Sequence, residues 1–363
     1  MNETINRENI AQPMTWAQLQ EGAKGNWSHI FAELAPKLLE AVTCAPNHVP
    51  CPVHGGDNGY RLFDHFNDTG RGICNTCGPH KSGVATLAWV KGCSMAEATA
   101  MVQEWLTKEK AQPPAIERKA FVAPPKLDPA VAYARLREVW KSSLPLGGAA
   151  EAYLVNRGIW RENLPSVLRA HAGLTYIHGK EKKNYGKFPC LLAPIRDKAN
   201  QIVSIHRVYL TEDGQKAPVP DVKKVMSPCA ELRGAAIKLF PPGKTLGLAE
   251  GVETALAAHA VSRMPVWSCV SAVLMELVEI PDSVEHVVIW ADLDRSQRGI
   301  QAAERLADRM EALGKTVEIC VPQGPIPEGV KGIDWLDVML TKGLNGFPAK
   351  WRRWRPSVTQ VAA

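Results

Sequence analysis
From residue 245 to 320 the chain alternates short apolar runs with longer amphipathic ones, and this alternation restricts its fold more than any other feature. The runs "TLGLAE", "VWSCV", "HVVIWAD" and "TVEICVP" are short and rich in β-branched and aromatic residues, so they read as strands. Between them "GVETALAAHAVS", "SAVLMELVEI" and "SQRGIQAAERLADRMEALG" read as helices. The last presents an apolar face of Ile300, Ala303, Leu306, Met310 and Leu313. Strands alternating with helices of this length predict an α/β body with a mostly parallel sheet and helices on both faces.

In such sheets functional groups gather at the carboxyl ends of the strands. Glu250 ends the first strand, and Asp292 and Asp294 end the third, in "HVVIWADLDRSQRG". Side chains two apart on a strand share a side, so both aspartates are expected to face one spot. Their repulsion costs stability unless a cation lies between them. Carboxylates without imidazole or thiolate favour hard ions such as Mg²⁺ or Mn²⁺, which grip phosphate oxygens during displacement at phosphorus. The alternative is a solvated strand end, with Glu250 an ordinary acid at a helix N-terminus. Asp334 and Asp337, in "KGIDWLDVML", are a further candidate metal pair, and capping of the helix that starts there explains both equally.

A different metal is expected in the N-terminal half. "CPVH" places Cys51 three residues before His54, and "CNTC" does the same for Cys74 and Cys77. Two knuckles of this kind bring four soft ligands into a tetrahedron suited to structural Zn²⁺. Gly55, Gly56, Gly72 and Gly78 stand where the knuckles must turn tightly. Cys44, His48, His65, His80 and Cys93 lack partners at knuckle spacing and are taken as bystanders. Nine cysteines, an odd number without small-domain density, point to a reducing cytoplasm rather than a disulfide framework.

The 363 residues suffice for two or three domains. No apolar run approaches a membrane span, and "MNETINRENIAQ" is too polar for a signal peptide. A net charge of +6 permits a polyanionic partner without requiring one. The expected order is a helical lead-in over 1–43, a cysteine-bearing module over 44–108, and a proline-rich linker over 109–128. The α/β body follows from about 129, and a basic tail, including "AKWRRWRPSV", runs over 346–363. That tail is read either as a docking segment or as a solvated end. "KLFPPGKT" ends like a phosphate-binding loop, but Lys238 replaces its first glycine, two prolines stiffen it, and a strand follows. No nucleotide-hydrolysing motor is read here.

These residues resemble a known family. "LGLAEGVETALAAH" followed by "VVIWADLDRSQRG" is similar to the Toprim domain of bacterial primases and of type IA and II topoisomerases. "CPVHGGDNGYRLFDHFNDTGRGICNTCG" resembles the zinc-ribbon of bacterial, phage and plasmid DNA primases. "FPCLLAPIRDKANQIVSIHRVYLTEDGQKA", the later "KKVMSP" and "AYLVNRGI" at 152–159 are similar to the primase segment before Toprim. The resemblance implies a zinc-ribbon over 44–108, a mixed α+β basic subdomain over 129–240 and a Toprim domain over 241–345.

The resemblance further implies template-directed synthesis of RNA primers on single-stranded DNA from ribonucleoside triphosphates, for replication of a mobile element, with unwinding left to a separate replicative helicase. Asp292 and Asp294 would then hold Mg²⁺ or Mn²⁺, with Glu250 ordering the ions or taking a proton. Arg207 and Lys223 or Lys224 would neutralise phosphates. Tyr60, Phe63 and Phe66 would either stack on template bases or simply pack the ribbon. Gln297 and Arg298 depart from the small or acidic residues of many relatives, which leaves a third metal ligand unassigned. A type IA topoisomerase needs a nucleophilic tyrosine after Toprim, and all six tyrosines precede it. A Toprim nuclease and a non-catalytic DNA-binding accessory protein are the remaining rivals, and the intact acidic set argues against the second.

Overall fold
The computed structural model describes residues 14–75, 77–108, 116, 127–159, 164–179 and 182–353, with the side chains of residues 56–58 left aside. Most of the linker read over 109–128 and the tail from 354 lie outside the described residues, as do the first thirteen. The chain divides into two compact units, Met1–Pro124 and Pro125–Ala363.

In the first unit the run "WSHIFAELAPKLLEAV" is not one helix. Pro36 cannot continue the ladder, so helix Trp27–Leu34 ends there and a short 3₁₀ turn leads into Leu39–Cys44. A four-stranded antiparallel sheet follows, in the order Val49–Cys51, Gly55–Leu62, Gly72–Cys74, Gly78–His80. Ser94 caps helix Met95–Thr107 through a reciprocal capping box with Glu97. Leu19, Trp27, Ile30 and Phe31 of the lead-in share one core with Tyr60, Phe66, Leu87, Val102 and Trp105. Lead-in and cysteine module are therefore a single packed body.

Among the described residues the second unit holds two large sheets and one two-stranded ladder. Five strands form an antiparallel sheet in sequence order, Leu144–Pro145, Arg169–His178, Lys183–Arg196, Ile202–Tyr209 and Lys223–Val225. Four strands form a parallel sheet in the order Val266–Ser268, Thr245–Ala249, His286–Trp290, Thr316–Cys320. Alternation along His286–Trp290 divides its apolar run between two cores. Val288 and Trp290 meet helices Val252–Ser262 and Trp335–Lys342, while Val287 and Ile289 meet Ala272–Leu277 and Arg298–Ala312. Helices thus cover both faces, as the alternation predicts.

Two details differ from expectation. Helix Ala272–Leu277 is shorter than "SAVLMELVEI", because the backbone turns extended at Val278 ahead of Pro281. Leu313 stands past the last turn of helix Arg298–Ala312 and is 62% exposed, so Ala302, Ala303, Leu306 and Met310 carry the buried face.

Candidate active site and metal centre
Cys51, His54, Cys74 and Cys77 converge, each with one ligand atom, all within 4.8 Å of one another. His54 Nε2 lies 3.2 Å from Cys74 Sγ. Two local turns produce this: Gly55 and Gly78 both take positive φ, 75° and 90°, which a side chain rarely tolerates. Burial and the neighbouring sulfurs push the Cys77 thiol up to about 12 and raise Cys51 as well. A cation bound among thiols crowded this way would displace their protons to solvent, and three sulfurs with one imidazole suit zinc. Of the aromatics nearby, Tyr60 and Phe66 are fully buried and pack the core. Phe63 is half-buried and carries Arg61 at 5.1 Å and Arg71 at 5.9 Å from its ring centre.

The acidic residues form a second site within the second unit. Strand His286–Trp290 stops before the aspartates, so they do not share one strand face as the spacing suggests. Asp292 falls in the loop beyond the strand end. Asp294 belongs to a two-residue ladder in which Leu293–Asp294 pairs antiparallel with Gly332–Ile333. The Asp294 carboxylate turns to the start of helix Arg298–Ala312, accepting from Gly299 N–H at 3.0 Å, Arg298 N–H at 3.2 Å and the Ser296 hydroxyl. Gly299 allows a close approach there, since a Cβ would lie 3.1 Å from the Asp292 carbonyl oxygen.

Asp292 instead lines a cavity of about 190 Å³ with Glu250, Asp334, Glu253, Arg157, His206 and Lys223. Trp335 donates its indole N–H to the Ala291 carbonyl at 3.1 Å, which draws Asp334 up to Asp292. Asp334 also caps its own helix: its carboxylate accepts from Asp337 N–H at 2.8 Å, and Asp337 accepts from Asp334 N–H at 3.1 Å. Both therefore serve as the capping reading expects, and only Asp334 faces the cavity as well. Burial, then Asp334, Glu250 and Asp294, hold Asp292 well above the usual carboxylate range, and burial and Asp294 raise Glu250.

Asp292 Oδ1 is buried with no hydrogen-bond partner among the described residues. An orphaned anionic oxygen among further carboxylates fits a hard divalent cation. The oxygens do not close into one tight shell. Among the described residues only the Cys₃His group brings three or more such ligand atoms within a single ion's reach.

The three basic candidates separate across the antiparallel sheet. Lys223 pairs in register with Val208, and Lys224 with Arg207, so neighbours in sequence fall on opposite faces. Lys223 reaches the cavity and meets Glu253 at 2.8 Å. Lys224 turns away, donating to the Ile177 carbonyl at 2.8 Å above the Tyr176 ring, and Arg207 lies on that side over Tyr209.

Four cavity or support residues escaped sequence reasoning: Tyr153, Arg157, His206 and Glu253. Glu253 sits in the first turn of helix Val252–Ser262, where an acid is expected for the dipole alone, and only its burial at 3% exposure distinguishes it. Arg157 lies within "AYLVNRGI", a stretch the family resemblance had already marked. The phosphate-loop look-alike is a loop whose Lys244 pairs with exposed Glu285 at 2.9 Å. The described start of the basic tail is docked, with Trp351 at 8% exposure and its indole donating to Glu318 at 3.2 Å.

Family comparison matches residues 47–84 to the zinc-binding domain of primase-helicase, 130–239 to a domain of unknown function (DUF7146), and 245–345 to the Toprim domain. Among solved structures, the primase fragment of the bacteriophage T7 primase-helicase protein is 18% identical, covering 82% of this chain and 95% of that one at a TM-score of 0.37. The zinc-binding and RNA polymerase domains of the Aquifex aeolicus primase are 14% identical, covering 88% and 83% at 0.38. With likenesses this distant, the weight falls on the family matches. Among the described residues no helix is long and apolar enough to cross a membrane.

Proposed function
We propose that this chain, which joins a zinc-binding domain of the primase-helicase type to a Toprim domain, is a DNA primase that synthesises short RNA primers on single-stranded DNA. One observation carries this reading: a buried, unpartnered Asp292 oxygen shares its cavity with Glu250, Asp334 and a lysine. Asp292, Glu250 and Asp334 would hold Mg²⁺ or Mn²⁺, with Asp294 close by and Asp337 supporting Asp334. When bound, such an ion neutralises the incoming triphosphate and makes the attacking 3′-hydroxyl more acidic.

The protein's own groups do the rest. Lys223 and Arg157 supply positive charge for phosphate oxygens. His206 is nearly fully buried and its pKa is lowered to about 4 by that burial, so at neutral pH it lines the cavity without adding charge. Glu250, whose pKa is raised by burial and by Asp294, would order the ions or take a proton. Arg207 and Lys224, on the far face, would contact nucleic-acid backbone, and Phe63 between two arginines would stack on a template base. A separate helicase would supply the strand, and a phage or plasmid would be the element replicated.

The test is priming on single-stranded DNA with labelled ribonucleotides and Mg²⁺ or Mn²⁺, with nicking of duplex DNA assayed alongside. Wild type should make primers, and Asp292→Ala should make none while still binding DNA. Nicking without incorporation would assign a Toprim nuclease instead, and equal primer yield from Asp292→Ala would remove the assigned site.

A further inference from the structure
Lys223 occupies the same cavity as Asp292, yet Asp292 Oδ1 has no hydrogen-bond partner. An ammonium on a flexible stem beside a cluster of carboxylates should collapse onto the nearest unpaired oxygen. It does not, because Glu253 holds it. Lys223 Nζ lies 2.8 Å from Glu253 Oε1 and 2.9 Å from Oε2, so both oxygens grip one ammonium. The Tyr153 hydroxyl donates to Oε1 at 2.7 Å and fixes the carboxylate from the other side.

We infer that Glu253 is a positioning residue that keeps Lys223 off Asp292, so that the Asp292 oxygen stays open for a divalent cation and the ammonium stays aimed at nucleotide phosphates. The inference rests on the reading of this cavity as the nucleotide site. Burying a carboxylate is costly unless it is fully paired, and well-packed apolar groups often replace such a pair without loss of stability. Here the lysine side chain is 44% exposed and the glutamate 4%, so the anchor is the buried partner and the held group is the reachable one. The lysine also needs an anchor, since strand Lys223–Val225 is a three-residue edge paired on one side only. A plain brace between helices Gly148–Asn156 and Val252–Ser262 would require the Tyr153 bond and no lysine.

A double-mutant cycle separates these roles, using Glu253→Gln, Lys223→Met, the double variant, and Tyr153→Phe as the brace control. Three readouts are needed: KM and kcat for ATP in primer synthesis, Mn²⁺ affinity by electron paramagnetic resonance, and Tm. Glu253→Gln frees Lys223 to cover Asp292, so Mn²⁺ affinity and the KM for ATP should each worsen about tenfold or more. Removing Lys223 as well should restore Mn²⁺ affinity to at least the wild-type value, and the double variant should show no further rise in KM over Lys223→Met. Tyr153→Phe should lower Tm while shifting KM less than about twofold. Equal Mn²⁺ affinity in wild type and Glu253→Gln, or fully additive KM effects, overturns the positioning role. If the wild type makes no primers, the primase reading fails by itself, and the Mn²⁺ arm still decides for or against Glu253.

Discussion

Lys223 and Lys224 are consecutive residues with opposite destinations: one ammonium lies 2.8 Å from the buried Glu253 carboxylate, the other 2.8 Å from the Ile177 carbonyl across the sheet. A strand edge therefore supplies one cation to the acid-lined cavity and one to the aromatic face that carries Arg207. Lys223→Ala should raise the KM for ribonucleotides about tenfold or more, since a charge-assisted contact to phosphate is lost. Lys224→Ala should leave that KM within about twofold and weaken single-stranded DNA binding, with a shallower salt dependence. Steady-state kinetics and binding titrations at two salt concentrations check both.

Asp292 is held above the usual carboxylate range by burial and by Asp334, Glu250 and Asp294, a sign of repulsion in the cation-free protein. Asp292→Asn removes one of the like charges at nearly constant volume. It should abolish primer synthesis by more than about a hundredfold and raise the cation-free stability by about 1 kcal/mol. Thermal melts in chelator together with the priming assay test this pairing of lost activity and gained stability.

His206 titrates at about 4 in the fold against an ordinary value of 6.5, because burial disfavours its charged form. Between those values the unfolded chain binds more protons than the folded one, so stability falls as pH drops from 6.5 towards 4 and is flat above. The loss attributable to this group is on the order of 3 kcal/mol. Denaturant titrations of the wild type should show that slope, and His206→Gln should flatten it in this window.

The Cys₃His cluster predicts one equivalent of zinc in purified protein by atomic absorption. Cys74→Ser should lose it, leaving crowded buried sulfurs with no cation and costing the first unit several kcal/mol. Calorimetry should show the first unit's transition move down or vanish. The second unit has its own cores, and its transition should stay where it was.

Much of this arrangement was legible in the sequence wherever neighbours along the chain decide it. The knuckles that carry Cys51 with His54 and Cys74 with Cys77 are local turns, so their spacing alone foretells the cluster. The strands around "TLGLAE" and "HVVIWAD", and the placing of Glu250 and Asp292 beyond their ends, follow from apolar runs that only a doubly covered sheet can bury. The capping of helix Trp335–Lys342 by Asp334 and Asp337 is likewise local and was open to spacing arguments.

Other features depended on which face of an element turns inward, and spacing is silent on that. The paired carboxylates of "DLD" look equivalent in sequence, yet one line of backbone donors at Arg298 and Gly299 takes Asp294 and leaves Asp292 to the cavity. Glu253 reads as a surface acid favoured by a helix dipole until packing closes over it with Tyr153, a hundred residues earlier. The choice between Lys223 and Lys224 rests on register with strand Ile202–Tyr209. Sequence by itself determined the elements, the zinc knuckles and the position of acids at strand ends, because hydrophobic period and turn chemistry act over a few residues. Only the tertiary structure decided which charges meet, because burial, and with it the strength of every ion pair, belongs to surfaces brought together from distant parts of the chain.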